Sequence, residues 1–114
     1  MGGILTKGTI MDQQNAIALI AAERQRQIHL EKWDSGHDDE HDEDQLALAG
    51  ASYALPCYRR IGCTHDRSIP DTWPWSRECW KPTPGNRVRE LVKAGALIAA
   101  EIDRLQRRAR DGHG

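Results

Sequence analysis

The chain has 114 residues, a formal charge of −1, 39% apolar residues and no phenylalanine. This length supports one domain with a modest core, and the near-neutral charge excludes a generally basic nucleic-acid-binding protein. No apolar run approaches the roughly 20 residues of a membrane span, and the first residues lack a secretory signal pattern. Three cysteines in a non-secreted chain favour reduced thiols. We therefore expect a single cytoplasmic domain over residues 1–114.

The first predicted element is a helix from about Asp12 to Leu30, which follows a loose N-terminal arm at residues 1–11. Asp12 is a suitable N-cap residue. The apolar stripe at helical spacing comprises Ile17, Ile20, Ala21, Arg24 and Ile28. A cation on this stripe requires a carboxylate partner or an anionic ligand, which makes Arg24 a candidate functional residue.

An acidic stretch, HDDEHDED at residues 37–44, precedes the second predicted helix, EDQLALAGASYAL. Acids are favoured at a helix start by the helix dipole. The candidate caps are Asp38, Asp39, Asp42 and Asp44. The predicted apolar stripe of the second helix consists of Leu46, Ala49, Gly50 and Tyr53. Pro56 should end this helix.

Residues 56–85 form a connector with all five prolines, all three cysteines and three of the four tryptophans. A structureless loop of this length is unusual inside a compact domain, so we expect the connector to be pinned by its tryptophans or by a metal.

The third predicted helix, NRVRELVKAGALIAAEIDRLQRRAR, is the clearest in the chain, and Asn86 should cap it. Its core stripe should consist of Leu91, Ile98, Ile102 and Leu105. Together the elements predict an all-α fold, a three-helix bundle with a long Trp/Pro-rich connector between helices 2 and 3. Apolar surface left over by three helices could be covered by dimerisation.

Acidic residues could form a magnesium site. Hard divalent cations prefer oxygen ligands, and carboxylates three or four residues apart share one helix face. The candidate ligands are Asp39, Glu43, Glu90 and Glu101. The last two differ by about 20° in helical phase and border the core stripe, so both should lie partly inside the bundle. The structural alternative is an Arg24–Glu101 ion pair with an acidic helix cap.

Two other groups of residues could bind a transition metal. His37 and His41 are four residues apart, and either Asp38 or Asp39 could complete a site on one helical turn. A structural zinc site could be formed by Cys57, Cys63, His65 and Cys79. Ordinary zinc modules use C-x₂₋₄-C pairs, which this chain lacks, so unrelated thiols are the favoured interpretation.

Aromatic and cationic residues near one another suggest a nucleotide-type ligand. Trp73, Trp75 and Trp80 lie beside Arg77 and Lys81 in the sequence, and indole faces near cations suit a base and its phosphate. They equally suit the lid of a core without phenylalanine. The three helices are expected to converge on a polar pocket. The predicted ligand contacts are Arg24, Lys93, Trp75, Trp80 and Glu101.

Four segments across roughly residues 22–105 resemble a small group of phage and prophage proteins: ERQRQI, HDDEH…LALAGASYA, WPW…WKP and LVKAGALIAAEIDRL. The chain is also similar, more weakly, to the MazG-like all-α NTP pyrophosphohydrolases. Those enzymes hold magnesium with an E-x-x-E motif on one helix and an E-x-x-D motif on the next. Here Glu40 to Glu43 reads E-x-x-E, whereas Glu101-Ile102-Asp103 is one residue short of the second motif.

The residues and resemblances imply two alternative functions. The first is a phage- or prophage-type binding protein for counter-defence, which sequesters a nucleotide-type ligand or blocks a host protein. The second is a magnesium-dependent nucleoside triphosphate pyrophosphohydrolase, in which the metal activates water. Lys93 or Arg24 would stabilise the developing charge in that enzyme. A homodimer is an expected assembly, while membranes and nucleic acids are not expected partners.

Overall fold

The computed structural model describes residues 15–31, 36, 44–60 and 69–111. Its α-helices are α1 (Ala16–His29), α2 (Gln45–Ala54) and α3 (Arg87–Arg110). Two short 3-10 helices, Cys57–Arg59 and Arg77–Cys79, follow α2. Because α3 packs against both α1 and α2, the predicted all-α bundle is confirmed. The described ranges contain no strand, and none of their helices combines the length and apolar character that a bilayer crossing requires.

The first helix starts later than predicted. Asn15 is its N-cap, because the Asn15 side-chain oxygen accepts a hydrogen bond from the Ala18 backbone N–H at 2.8 Å. The predicted cap, Asp12, and the arm at residues 1–11 lie outside the described residues.

The buried face of α1 is polar. Glu23 and Gln27 are each 2% exposed, whereas Ile17 is 75% exposed and Ala21 is exposed too. Arg24 is half-buried. The predicted apolar stripe is therefore wrong for this helix, because polar side chains that hydrogen-bond to one another can be buried in place of apolar ones.

The buried face of α2 matches its prediction. All four residues of the predicted stripe are buried, and Leu46 and Ala49 are fully inaccessible. Asp44 occupies the N-cap position, but its backbone is left-handed (φ 68°) and its side chain makes no capping hydrogen bond. The predicted capping by this side chain is therefore wrong. The other candidate caps belong to residues 37–43, outside the described part of the chain.

Aromatic packing holds residues 69–85 of the connector onto α2. Trp73 and Trp80 are 8% and 7% exposed, with ring centroids 5.0 Å apart. Trp80 stacks on Tyr53 at 4.6 Å, and the Tyr53 hydroxyl accepts the Lys81 backbone N–H at 3.0 Å. The expectation that tryptophans pin the connector is confirmed over these residues.

The third helix has the predicted start but not the predicted orientation. The Asn86 side chain accepts the Arg89 N–H at 3.1 Å and caps α3 as expected. The buried apolar face runs through Ala94, Leu97 and Ala100. The residues of the predicted core stripe are instead 45–51% exposed, namely Leu91, Ile98, Ile102 and Leu105. That prediction is wrong, and small alanines face α1 and α2 instead.

Candidate functional site

A cleft of about 340 Å³ lies between α1 and the first turns of α3. Its apolar lining comes from Leu19, Ala22, Val88 and Val92. Its polar lining includes Glu23 of α1, Arg26 of α1 and Arg89 of α3. We call this space the α1–α3 cleft.

The buried carboxylate of Glu23 connects the two helices. Arg26 donates two hydrogen bonds to it, at 2.8 and 2.9 Å. The guanidinium of Arg89 reaches it from α3 at 2.6 Å, and the side-chain amide of Gln27 donates to it at 3.1 Å. The four side chains therefore form one network across the α1–α3 interface.

The arginines keep this carboxylate ionised. Burial raises the pKa of Glu23, but the hydrogen bonds and positive charges of Arg26 and Arg89 together outweigh burial and lower that pKa below its ordinary value of 4.5. In return, the hydrogen bond with Glu23 raises the pKa of Arg26. All three groups are therefore charged at neutral pH.

Lys93 is a buried cation with a different environment. A smaller cavity, which shares Glu23 and Arg26 with the α1–α3 cleft, is lined by Lys93 together with Glu31, Lys81 and Tyr53. Lys93 as a residue is 9% exposed. Its ammonium donates to the backbone carbonyl of Lys81 at 2.7 Å and lies 5.5 Å from the Tyr53 ring centroid.

Among the described residues, no carboxylate lies within 4 Å of the Lys93 ammonium. Burial, followed by repulsion from Arg89, lowers the pKa of Lys93 by more than attraction from Glu23 and Glu90 raises it. A buried ammonium whose partners are a neutral carbonyl and an aromatic ring is costly, and an anion placed beside it would reduce that cost.

Positive charge exceeds negative charge around the two cavities. Glu31 lies 3.2 Å from Arg26 and 3.5 Å from Lys81. The charged lining residues are four cations and two carboxylates, an excess of two positive charges: Arg26, Lys81, Arg89, Lys93, Glu23 and Glu31. The side chains of Arg26 and Arg89 are each 33% exposed, so their guanidinium groups are accessible to a ligand. This arrangement suits a phosphate or carboxylate group.

Of the five predicted ligand contacts, the structure brings Lys93 to these cavities. Glu101 is buried as expected, at 7% exposed, but Arg104 holds its carboxylate from one turn further along α3, at 2.7 and 3.0 Å. Neither Glu101 nor Arg24 lines the two cavities. Arg24, Lys93 and Glu101 were predicted to converge on one polar pocket, but only Lys93 lines these cavities.

The two tryptophans predicted to contact a ligand belong to the aromatic cluster. Trp80 stacks on Tyr53, and the Arg60 guanidinium lies 5.0 Å from the Trp80 ring centroid. Trp75 is half-buried and lies edge to face with Trp73 at 5.3 Å. Both pack as core residues rather than as an open stacking platform.

The predicted magnesium ligands cannot all surround one ion. Glu90 and Glu101 lie eleven residues apart on the continuous helix α3, about 16 Å along its axis. Magnesium requires its ligands at about 2 Å. Asp39 and Glu43 lie outside the described residues. Across the ranges that the structure describes, no three His, Cys, Asp or Glu side chains form a group that could hold a metal ion.

Glu90 has a structural environment of its own. Arg60 and Arg87 approach its carboxylate at 3.3 and 3.2 Å, and the backbone N–H of Thr83 donates to it at 3.2 Å. Arg87 also donates to the Tyr53 carbonyl at 3.0 Å, near the end of α2. Glu90 therefore connects the end of α2 to the connector and α3.

The predicted transition-metal ligands fall mostly outside the described residues. Cys57 is half-buried and Cys79 is exposed. The others are Cys63, His65, His37 and His41, all outside the described ranges. The zinc and transition-metal predictions therefore remain predictions.

The residues at the centre of the network were not among the predicted site residues. Glu23 and Arg26 are three residues apart and Gln27 follows Glu23 by four, which is the spacing of side-chain pairs on one helix face. This spacing predicts that the three side chains share one face of α1, whereas the apolar residues of α1 predict that a different face is buried. No local pattern indicates that Arg89 reaches Glu23, because this contact depends on how α1 lies against α3.

Comparisons of the chain with protein-family models, with curated proteins and with solved structures found no match. Its function is therefore inferred from the chemistry of the α1–α3 cleft.

Proposed function

We propose that this protein binds a nucleotide-type phosphorylated ligand in the α1–α3 cleft and holds it without turnover. The observation that carries the proposal is the buried Lys93 ammonium, which has no carboxylate partner among the described residues and lies in a region with excess positive charge. A ligand in the cleft whose phosphate reaches the adjoining smaller cavity, which shares Glu23 and Arg26 with the cleft, would place negative charge beside Lys93. Arg26 and Arg89 present guanidinium groups for bidentate contacts to its oxygens.

The dimensions and lining of the cleft fit such a ligand. Ligand pockets typically enclose about 300–1,000 Å³ and combine apolar walls with a few polar groups. The cleft is at the small end of that range and has apolar walls beside its arginines. Gln27 adds a polar group in the adjoining smaller cavity, because its buried side-chain oxygen has no hydrogen-bond partner in the described part of the chain. That oxygen could accept a hydrogen bond from an amino group of a base.

The resemblance to phage and prophage proteins supports a biological role for this binding. A protein that sequesters a nucleotide in the cytoplasm of a bacterial host would deprive a host defence system of its signal. Direct blocking of a host defence protein is the other form of the same counter-defence proposal.

Magnesium-dependent pyrophosphohydrolysis is the second proposal. It is favoured by one observation: Glu23 and Glu31 line the same cavity as Lys93. Carboxylates in that position could meet the magnesium ion that accompanies a triphosphate, and Lys93 could stabilise charge on the phosphates. Of the acids predicted for the metal, neither Glu90 nor Glu101 lines this cavity.

Calorimetry with linear and cyclic nucleotides, with and without magnesium, would test these proposals. Lys93→Met should weaken the binding of a nucleotide at least tenfold. The matched control is Arg77→Gln, which removes an exposed cation of the connector and should leave affinity unchanged. Absence of binding by every nucleotide would overturn the small-molecule proposal. Pyrophosphate release that is lost in Glu23→Gln would replace sequestration with the enzyme.

A further inference from the structure

The apolar residues on the outer side of α3 follow a heptad pattern, and only its centre contacts the rest of the bundle closely, where Gly95 meets Ile20 of α1 and Ile98 meets Gly50 of α2. Starting at Val88, they recur at alternating intervals of three and four residues, the a/d repeat of a coiled coil. We call this set the α3 seam: Val88, Leu91, Gly95, Ile98, Ile102 and Leu105. Its five large residues are 45–62% exposed. Since the opposite side of α3 is buried against α1 and α2, α3 is apolar on two sides, as a helix inside a larger bundle would be.

We propose that the α3 seam is the interface of a homodimer in which two copies of α3 pack antiparallel. A two-fold interface must be complementary to itself. In the register where paired residue numbers sum to 193, every a position faces a d position of the second copy. Val88 then faces the partner's Leu105, Leu91 faces the partner's Ile102, and Gly95 faces the partner's Ile98.

The centre of this register pairs the smallest residue with a large one. Gly95 already receives Ile20 of α1, since a Cβ at Gly95 would lie 2.7 Å from the Ile20 Cδ1 atom. Because Ile20 fills that space, the partner's Ile98 would pack on Ile20 rather than on Gly95 itself. Ala99, which borders the centre of the seam, is small and uncharged. The centre of the interface would therefore bury no unpaired charge.

The length of α3 limits the area of the contact. Its 24 residues extend about 36 Å, and half the surface of a cylinder of that length and about 10 Å in diameter, an upper limit for one face, is roughly 570 Å². Stable interfaces begin near 600 Å² per partner. A second copy of this chain would therefore form an interface just below the stable range, and we expect the dimer to dissociate at micromolar rather than nanomolar concentrations.

A pair of complementary charge variants tests both the dimer and its register. By sedimentation equilibrium, the unmodified protein should reach twice its mass of 12.9 kDa as its concentration rises. Leu91→Glu and Ile102→Lys should each sediment as one chain, because each places a charge opposite an apolar residue. An equimolar mixture of the two should recover the dimer, since position 91 of one chain faces position 102 of the other.

The matched control is a mixture of Leu91→Glu with Leu105→Lys. Leu105 faces Val88 in the proposed register, so this mixture should stay monomeric. Recovery in both mixtures alike would overturn the register. A single-chain mass for the unmodified protein across the whole micromolar range would overturn the dimer itself, independently of whether any variant folds. Nucleotide binding by a monomeric protein would leave the proposed function intact while the dimer failed.

Discussion

At the scale of single residues, two buried charges near the α1–α3 cleft are compensated in opposite ways. Glu23 is surrounded by Arg26, Arg89 and Gln27, all within hydrogen-bond or ion-pair distance. Lys93 has a backbone carbonyl and an aromatic ring. Removing a buried charge that is paired leaves its partners unpaired, whereas removing a charge whose burial costs more than its distant counter-charges return, as the lowered pKa of Lys93 indicates, relieves a cost. The two residues should therefore differ in the sign of their effect on stability.

We expect Glu23→Gln to lower the free energy of unfolding by about 2–3 kcal/mol at neutral pH. Loss of one member of a buried pair costs about 3–5 kcal/mol, and the partial exposure of Arg26 and Arg89 reduces that cost. Because the pKa of Glu23 is lowered in the folded state, its contribution is fully present above the ordinary value of 4.5 and is lost as pH falls through the folded value. Urea unfolding from neutral pH to about pH 3 would measure this.

The control for this prediction is Glu78→Gln, which changes an exposed acid of the second 3-10 helix. Glu78→Gln should change the free energy of unfolding by less than about 0.5 kcal/mol. The free energies of unfolding of Glu23→Gln and the unmodified protein should converge near pH 3. If they differed there as much as at neutral pH, the role assigned to the Glu23 charge would be contradicted.

Lys93→Met should raise the free energy of unfolding of the ligand-free protein, by about 1 kcal/mol near neutral pH. The pKa of Lys93 is lowered in the folded state, so the unfolded chain holds this proton more tightly. The cost is therefore present below the folded pKa and disappears as pH rises toward the ordinary value of 10.5. Thermal unfolding of both proteins between neutral and alkaline pH should show that the difference in their free energies of unfolding decreases as the pH rises. Marked destabilisation by Lys93→Met at neutral pH would show that Lys93 is already compensated.

At the scale of helices, the close contacts of α3 depend on two glycines. A Cβ at Gly50 of α2 would lie 3.0 Å from an Ile98 side-chain atom and 3.2 Å from the Ala94 carbonyl oxygen. A Cβ at Gly95 of α3 would lie 2.7 and 2.9 Å from two side-chain atoms of Ile20. Glycine lowers helix stability by about 1 kcal/mol relative to alanine. At both positions this loss of helix propensity allows the neighbouring helix to pack closely.

We expect Gly95→Ala to lower the free energy of unfolding by about 1–2 kcal/mol, because overpacking against Ile20 outweighs the gain in helix propensity. The same substitution in an Ile20→Ala background should instead raise it by about 1 kcal/mol, since the space is then free. A double-mutant cycle by urea unfolding, at one fixed protein concentration, would measure the coupling. Additive effects of the two changes would contradict a direct contact.

Local sequence patterns predicted where the helices begin and end better than they predicted which helix faces are buried. The buried face of α2 was predicted because its four stripe residues pack in the chain's own core, and the start of α3 because the Asn86 cap is a local interaction. The orientation of α3 was missed because a heptad of apolar residues does not reveal which helix it packs against. In the candidate site, burial of Glu101 followed from helical phase, whereas Glu23 was missed because its burial depends on arginine partners from two helices.

At the scale of the whole molecule, α3 joins two surfaces of different chemistry. Arg89 and Lys93 lie on the side of the α1–α3 cleft and its smaller cavity, while Leu91 and Ile98 project from the exposed side. The exposed parts of these apolar side chains contribute nothing to the stability of one chain. They could contribute once a second chain covers them, which makes stability depend on concentration.

A tenfold rise in protein concentration should therefore raise the melting temperature of the unmodified protein by about 3 °C. Tenfold in concentration corresponds to about 1.4 kcal/mol per dimer, or half of that per chain, and about 1 kcal/mol shifts the melting temperature of a domain this size by about 4 °C. Calorimetric scans of Ile102→Lys should show no such dependence. Leu30→Glu replaces a residue that is 72% exposed but outside the α3 seam, so it should keep the dependence. If Leu30→Glu abolished it as Ile102→Lys does, the dimer would form through another surface.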